Sequence, residues 1–464
     1  MNTIIILSCL GLVTLFTGVY NLRKLILPLV IVGLLASFAV NFSDWDTNIA
    51  YFNDMLRFDN YAVAFTGLLS AVMLVIFFLC DHHYRKEDSN IADIYALMLF
   101  TLVGGIIMVS YSNLTMLFIG IETLSIPLYV LAGSRRFSLN SNEAALKYFL
   151  MGAFSTGFLL FGICLIFGTT GSFHLDVIKA YVVANAGDLP GIFKAGMFLM
   201  LIGLLFKVSA APFHFWAPDV YTGAPTLVTT FMATVVKTAG FAALFRLFYI
   251  CFGGIVHEWF YTVWAVTALT ITVGNLSAIF QKSVKRMLAY SSISNAGYLL
   301  LGVLALNENA QSAMLYYTAA YSLSTICAFA ILMLVEDAKG DSNYESFNGL
   351  ARNNPALAFI MTLALLSLAG IPPLAGFFGK YYLFANAIEN SHIDNSYIWI
   401  VVIAVLNSLM GIFYYFKVIV AMFSKETALE KLNIKGSYLF ILMAAAFAVV
   451  VLGLFPQIIT GLLK

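Results

Sequence analysis

Seven charged residues lie inside long apolar stretches of this 464-residue chain. A charge near the middle of a lipid bilayer costs several kcal/mol, so such residues usually face the protein interior, pair with one another and mark proton or ion pathways. The chemistry that they indicate is the transfer of protons between side chains within a membrane. These residues are Glu122, Lys147, Lys207, Lys237, Arg246, Lys380 and Lys417.

Glu122 and Lys207 are the strongest candidates for that chemistry. Glu122 lies about ten residues from either end of its apolar stretch, and Lys207 comes shortly before Pro212. Burial disfavours a charged amine, whereas a nearby carboxylate stabilises it. A lysine in that balance can release its proton when the carboxylate moves away. The alternative is a static buried ion pair that only positions helices.

The remaining five cations differ in their positions within the apolar stretches and in the roles that these positions indicate. Lys237 is central in its stretch, and Lys380 lies on the outward half of its own; both are interpreted as further members of a lysine file. Lys147 lies only a few residues into its stretch, so snorkelling to the surface is an alternative to a place in the path. Arginine does not deprotonate in proteins, so Arg246 is interpreted as an anchor. Lys417 is interpreted as a snorkelled cation.

His214 lies in the Pro-rich segment after Lys207. Histidine titrates near neutral pH, so His214 could join a hydrated path. The alternative is a packed, hydrogen-bonded histidine with a structural role.

The composition excludes several classes of protein. The chain is 61% hydrophobic and 10% charged, whereas a soluble domain carries about 25% charged residues. A net charge of +1 gives no electrostatic case for nucleic acid. The five cysteines form no CxxC pair, and the glycines form no dinucleotide fingerprint. We therefore expect no metal and no cofactor bound by this chain.

The hydropathy pattern predicts an all-α polytopic membrane protein with fourteen membrane spans. The spans are placed at about 3–20, 24–42, 60–80, 91–110, 113–133, 145–168, 191–222, 224–250, 259–280, 286–306, 311–336, 355–388, 397–423 and 437–460.

Two of these spans are interrupted. The seventh contains Pro212 and Pro218, and the twelfth contains Gly370, Pro372 and Pro373. Two broken helices five spans apart, in opposite orientation, indicate inverted five-helix repeats of the transporter type. The predicted organisation is a single membrane domain, 1–464, with its parts at 1–90 (three helices), 91–250 (first repeat), 259–423 (second repeat) and 437–464 (last helix).

Basic residues give the predicted orientation. One set of alternate loops carries fourteen lysines and arginines, among them Arg85, Lys86 and Lys425, and the other set carries four, among them Lys464. The positive-inside rule places the first set in the cytoplasm and both termini outside.

Four motifs together resemble the antiporter-like membrane subunits of bacterial respiratory complex I, in particular the subunit N family. They are GIETLSIPLY at 120–129, KVSAAPFHFWAPDVYTGAPT at 207–226, KRMLAYSSISNAGY at 285–298, and SLAGIPP at 367–373 with GFFGK at 376–380. The resemblance implies a proton path in which Glu122 modulates Lys207, Lys147 lies near this pair, and Lys237 relays to Lys380 at an outward exit.

The resemblance also implies a function and its setting. The chain would translocate protons as a membrane-arm subunit of NADH:quinone oxidoreductase, a translocase, with no redox centre of its own. NADH, FMN, iron–sulfur clusters and quinone would act in other subunits. The expected partners are other membrane-arm subunits of complex I and the lipid bilayer of the bacterial inner membrane. The alternative function is that of a subunit of a multisubunit cation/proton antiporter.

Overall fold

The computed structural model describes residues 1–84, 91–424, 430–432 and 434–463, with side chains left out at 81–84. Arg85, Lys86, Lys425 and Lys464, which contribute to the predicted orientation, lie outside the described residues. The described chain is almost entirely α-helical, as the hydropathy pattern predicts. Its one sheet is a two-stranded antiparallel hairpin.

The elements of the N-terminal half are α1 (Asn2–Val19), α2 (Arg23–Phe42), β1 (Ile49–Tyr51), β2 (Leu56–Phe58), α3 (Asn60–Tyr84), α4 (Ile91–Ser110), α5 (Leu114–Ala132), α6 (Leu139–Thr170), α7 (Leu175–Ala184), α8 (Gly191–Lys207), α9 (Trp216–Gly223), α10 (Thr226–Phe231) and α11 (Lys237–Leu247). Two π-helical turns, Met232–Val236 and Phe248–Phe252, flank α11, and a 3₁₀ turn, Gly253–Ile255, follows.

The elements of the C-terminal half are α12 (Val256–Ile279), α13 (Val284–Ala305), α14 (Glu308–Lys339), α15 (Leu350–Asn353), α16 (Pro355–Ala369), α17 (Ala375–Glu389), α18 (Ser396–Met422), α19 (Gly436–Leu454) and α20 (Gln457–Thr460), with 3₁₀ turns at Tyr344–Phe347 and Asn390–His392.

Eleven helical stretches among the described residues are long and apolar enough to cross a membrane. One of them, Thr226–Ile279, runs through two of the predicted spans. The predicted seventh and twelfth spans are absent from the eleven because each is divided into two shorter helices, α8 with α9 and α16 with α17. The count of fourteen spans and the inverted repeats stay predictions.

Both predicted breaks are present. Helix α8 ends at Lys207, and helix geometry resumes only at Trp216. Helix α16 ends at Ala369, because Gly370 adopts a left-handed conformation (φ +85°), which closes helix C-termini at little cost in glycine. Pro212 and Pro373 lack the backbone N–H that a continuous helix needs.

The chain forms two compact units. The first is built from Met1–Ser209 and Val235–Val263, and the second from Ala210–Thr234 and Trp264–Leu462. The chain leaves the first unit within the broken seventh span and returns to it within the π-helical turn before Lys237.

Glycines bring the helices of the first unit into backbone contact. A Cβ atom built on Gly104 of α4 would lie 2.4 Å from the backbone N of Leu124 in α5. One on Gly162 of α6 would lie 2.7 Å from the carbonyl oxygen of Gly196 in α8. Small residues at helix crossings permit this close approach in membranes. These contacts fix α5 and α8, the two helices that carry Glu122 and Lys207.

Candidate functional site

Glu122 lies at the middle of α5 and is half-buried. Asn113 caps this helix, because its side chain accepts a hydrogen bond from the backbone N–H of Thr115 at 2.9 Å. Ser125, one helical turn after Glu122 on the same helix, accepts a hydrogen bond from Lys207. The structure therefore brings together the carboxylate and the lysine that the sequence analysis paired.

Lys207 is the last residue of α8, and only 6% of its surface is exposed. Its ammonium Nζ donates a hydrogen bond to the hydroxyl Oγ of Ser125 at 2.7 Å. The same nitrogen lies 5.8 Å from the centre of the Tyr148 ring. Within the described residues, the hydrogen-bond partner of this buried cation is a neutral hydroxyl, one helical turn beyond Glu122.

A small cavity adjoins Lys207 in the first unit. The centre of a water molecule can occupy about 10 Å³ of this cavity. One bound water needs about 10–15 Å³ by the same measure. Its polar lining includes Ser125, Tyr129, Thr156 and Lys207. The space beside the lysine thus suits a single bridging water.

Lys147 is placed differently from Lys207. Its Nζ forms an ion pair with Glu143 one turn earlier on α6, at 2.6 Å, and 41% of the side chain is exposed. The neighbouring residue, Tyr148, is the one that faces Lys207. Helix α6 begins at Leu139, capped by Ser138, rather than near 145. Lys147 is therefore farther into the helix than the hydropathy pattern indicated.

Lys237 opens α11 directly after a π-helical turn, and 3% of its surface is exposed. Single π turns inside helices are frequent at functional sites. One turn later, a Cβ atom on Gly240 would lie 3.8 Å from Cγ of Lys207. The absence of a side chain at Gly240 lets α11 approach the stem of Lys207, so both lysines lie where α8 and α11 pack.

Arg246 contacts three residues of the first unit. Its guanidinium donates to the backbone carbonyl of Tyr111 at 2.8 Å and forms an ion pair with Asp59 at 2.8 Å. It also lies over the ring of Tyr61. These contacts agree with the interpretation of Arg246 as an anchor.

Lys380, in the second unit, binds the carbonyl end of α16 at the break in the twelfth span. Its Nζ donates to the carbonyl oxygens of Leu368 and Ala369 at 3.0 Å each, and it lies 4.7 Å from the centre of the Tyr298 ring. The last carbonyls of a helix lack partners within the helix and carry partial negative charge. The break therefore makes a cation site from the C-terminus of α16, and Lys380 occupies it.

A buried polar network lies around Tyr298 in the second unit. The Asn275 amide links Tyr298 and Tyr414, with distances of 3.4 Å and 3.0 Å. Tyr317 donates to Asn295 at 2.6 Å, and Asn295 donates to the carbonyl of Ser291 at 2.8 Å. Asn295 and Tyr298 lie in the motif at 285–298, but none of these residues was a candidate in the sequence analysis, because tyrosine and asparagine carry no charge to mark them in an apolar stretch.

His214 lies in the break after α8 and is buried. Its ring packs against Phe215, with 4.5 Å between ring centres. Within the described residues its Nδ1 has no hydrogen-bond partner. The ring is packed, and a place for His214 in a hydrated path stays a prediction.

Lys285 and Glu336 form a charged cluster that the sequence analysis missed. Lys285 is buried near the start of α13; its Nζ donates to the Ala224 carbonyl at 2.9 Å and lies 4.0 Å from Glu336. The Thr226 hydroxyl donates to the same carboxylate. Both charges lie at the ends of apolar stretches, where hydropathy assigns them to loops. Lys285 begins the motif at 285–298, but no sequence pattern pairs it with Glu336.

Lys417 lies at the surface of α18, with its Nζ 4.2 Å from the centre of the Tyr344 ring. Across the described ranges, no group of three or more His, Cys, Asp or Glu side chains could hold a metal ion. The chemistry that the described arrangement supports is proton transfer among buried amines, hydroxyls and a carboxylate.

Comparison with known proteins gives one family. The family model described as NADH:quinone oxidoreductase/Mrp antiporter, TM, matches residues 110–411. The NADH-quinone oxidoreductase subunit N of Cytophaga hutchinsonii is 45% identical over 460 residues, which cover 99% of this chain and 98% of that protein.

Two solved structures have the same fold. A chain of respiratory complex I from Thermus thermophilus is 33% identical, with a TM-score of 0.84, over 99% of this chain and 98% of that chain. A chain of the Mrp complex from Dietzia sp. DQ12-45-1b has a TM-score of 0.87 over 99% of this chain and 95% of that chain. Its identity is 18%, so this second likeness concerns the fold alone.

Proposed function

Because the chain belongs to the family of membrane subunits shared by NADH:quinone oxidoreductases and Mrp antiporters, we propose that its buried ionisable residues form a proton path. Its function is proton translocation as a membrane subunit of NADH:quinone oxidoreductase, a translocase. The proposed path residues are Glu122, Lys147, Lys207, Lys237 and Lys380, with His214 as a further proton acceptor.

The observation that carries this proposal is the environment of Lys207. A buried amine bound to a neutral hydroxyl, with a carboxylate one helical turn from that hydroxyl, can be either charged or neutral. The charged state is favoured when the carboxylate is near, and the neutral state is favoured by burial. A change in the Glu122–Lys207 separation therefore drives a proton onto or off Lys207.

Three further observations support a continuation of the path. Lys237 shares the packing region of Lys207 in the first unit. In the second unit, Lys380 has carbonyl oxygens and the Tyr298 network around it. Carbonyls freed at a helix break are tolerated at membrane depth where they line a wet cavity or are buried in protein. Water would bridge the gaps between these side chains.

The partner subunits and the membrane in which the chain lies are part of the same proposal. The partners are other membrane-arm subunits of the complex and the surrounding lipid. NADH, FMN, iron–sulfur clusters and quinone act in other subunits. The membrane is the bacterial inner membrane, with both termini on the outer side. A signal from quinone reduction changes the Glu122–Lys207 separation.

The antiporter function remains the second candidate, because the family includes Mrp proteins and the fold matches one. The higher identity to a subunit of NADH-quinone oxidoreductase favours the first. Co-purification with NADH-oxidising and iron–sulfur subunits separates the two candidates. Sodium transport by the isolated chain, without such partners, would favour the antiporter.

The test of the path is proton pumping driven by NADH in inverted membrane vesicles. Lys207→Ala and Glu122→Ala are compared with the wild-type complex, and the amount of assembled complex is measured in parallel. We expect pumping and coupled oxidation to fall at least about tenfold in Lys207→Ala, because the central amine is lost.

Lys417→Ala is the matched control, because it removes a lysine of the same helix bundle that lies at the surface. It should pump as the wild type does. Normal pumping by an assembled Lys207→Ala complex would remove this residue from the path and favour a structural role for the buried charges.

A further inference from the structure

Ser125 is the meeting point of polar groups beside Lys207. Its hydroxyl accepts the hydrogen bond from Nζ of Lys207 and donates its own proton to the carbonyl oxygen of Ile121. The Tyr129 hydroxyl belongs to the lining of the same small cavity as Ser125. Ser125 itself is 1% exposed. Its hydroxyl is therefore committed as an acceptor toward Lys207.

Glu122 and Ser125 lie three residues apart on α5. Side chains at this spacing share one face of a helix, with about 5–6 Å between their Cβ atoms. The long side chain of Lys207 can reach either group by rotation about its own bonds. Ser125 and Glu122 are therefore two alternative partners for one amine, a neutral one and a charged one.

The space beside Ser125 permits this movement. The small cavity of the first unit includes Ser125, Tyr129 and Lys207 in its lining. Gly152 of α6 leaves room for the Tyr129 hydroxyl, because a Cβ atom there would lie 2.3 Å from that oxygen. The Tyr129 hydroxyl therefore occupies the space that a side chain at position 152 would need.

We propose that Ser125 is a positioning residue that holds Nζ of Lys207 in the state in which the lysine is separated from Glu122. A hydroxyl oxygen accepts a hydrogen bond from a neutral amine and from an ammonium. A carboxylate gains most from the ammonium. The Ser125 position is therefore the one that the lysine can keep after its proton has left. This inference rests on the proposed proton path.

The experiment uses two substitutions of equal shape, Ser125→Thr and Ser125→Val, in the assembled complex. Threonine keeps the hydroxyl, and valine replaces it with a methyl group. We expect Ser125→Val to lower NADH-driven proton pumping about tenfold, as for the loss of a hydrogen bond to a charged group. Ser125→Thr should keep at least about half of the wild-type rate.

Two controls show whether Ser125 acts through Lys207. Ser155→Ala removes a hydroxyl that lines the same cavity and bonds the Gly203 carbonyl at 3.4 Å rather than Lys207. It should pump normally. In the Lys207→Ala background, Ser125→Val should cause no further loss, because the amine that Ser125 positions is already absent.

The outcomes separate this inference from the proposed function. If Lys207→Ala abolishes pumping but Ser125→Val pumps normally, the positioning role is wrong and the path stands. Equal loss in Ser125→Thr and Ser125→Val, or a further loss in the Lys207→Ala background, indicates a packing defect and also overturns the positioning role. Normal pumping by Lys207→Ala instead overturns the path itself.

Discussion

At the scale of the residue, burial divides the lysines of the apolar stretches into two groups. Lys207, Lys237 and Lys380 are between 3% and 7% exposed. Lys147 is 41% exposed and paired with Glu143, and Lys417 lies at the surface. Deeply buried cations have a high energy unless compensated, so their retention indicates function. An exposed pair has little such cost.

A substitution of Lys147 therefore tests whether the proposed proton path includes this more exposed lysine. An exposed ion pair contributes about 0–1 kcal/mol, so Lys147→Met should leave assembly unchanged. We expect it to lower proton pumping by less than about threefold, because an exposed lysine gains and loses protons at the surface rather than at depth. Lys207→Met should be far more severe. Pumping rates in vesicles, normalised to assembled complex, measure this order, and an equal loss in both variants would contradict it.

Arg246 is a structural residue at the same scale. Arg246→Met leaves the Asp59 carboxylate and the Tyr111 carbonyl without their cation, and breaking such a buried pair costs roughly 3 kcal/mol. We expect a lower thermal unfolding temperature and less assembled complex, with normal pumping per complex that does assemble. Lys417→Met should shift stability by less than about 1 kcal/mol, because its contact is an exposed cation–π pair. A normal unfolding temperature for Arg246→Met would show that the contacts of Arg246 with Asp59 and Tyr111 are dispensable for stability.

At the scale of the element, glycines set the helix crossings that hold the site. On α6, a Cβ atom at Gly162 would meet the backbone of α8, whereas one at Gly157 would meet nothing within 4 Å. Packed helices cannot separate without losing contacts along their whole interface. The crossing of α6 and α8 therefore controls where Lys207, at the end of α8, is held.

Gly162 and Gly157 lie on the same helix, so alanine substitutions at the two positions can be compared directly. Gly162→Ala should lower the unfolding temperature of the complex and its yield, because α6 and α8 must move apart, and overpacking typically costs about 1–3 kcal/mol. Gly157→Ala should be neutral or slightly stabilising, since alanine favours helix by about 0.5–1 kcal/mol over glycine. Thermal unfolding of both variants checks the prediction. Equal stability of the two would show that the crossing tolerates a methyl group.

The break in the twelfth span also depends on a glycine that lets two helices pack closely. Gly376 at the start of α17 leaves no room for a side chain, because a Cβ atom would lie 1.9 Å from the Ser367 carbonyl oxygen. The backbone N–H of Gly376 donates to the Ser367 hydroxyl at 3.1 Å. The two half-helices are thus held close together, which keeps Lys380 on the carbonyls of α16.

At the scale of the whole molecule, the orientation in the membrane is the main open prediction. Phe137, before α6, is fully exposed, and Ile393, before α18, is 71% exposed. The positive-inside rule places the first in the cytoplasm and the second outside. We therefore expect a cysteine at position 137 to react with an impermeant maleimide in inverted vesicles, and a cysteine at 393 to react only in right-side-out vesicles.

The native cysteines need a control in that experiment. Cys9 and Cys164 are the two exposed cysteines of the described chain, so both are replaced by serine in the background. The labelling pattern should then depend on the introduced cysteine alone. Labelling of both positions from the same side would contradict the predicted topology.

The amino-acid sequence by itself determined the membrane class, the two breaks and the charged residues of the proposed path. Hydropathy, proline chemistry and the cost of a buried charge are local properties, so they can be read without neighbours. Glu122, Lys207, Lys237 and Lys380 were all found in this way. The amphipathic spacing of Leu175, Ile178 and Val182 could also have revealed α7, which lies within an expected connection.

Only the tertiary structure decided which groups those charges meet. Ser125 receives Lys207 because the α4–α5 and α6–α8 crossings fix the rotation and depth of each helix. The same holds for the carbonyls that bind Lys380 and for the Lys285–Glu336 cluster. Such partners come from other helices or from across a helix break and are mostly uncharged, so no local pattern marks them. Their positions follow from close packing, which the sequence encodes only through all helices at once.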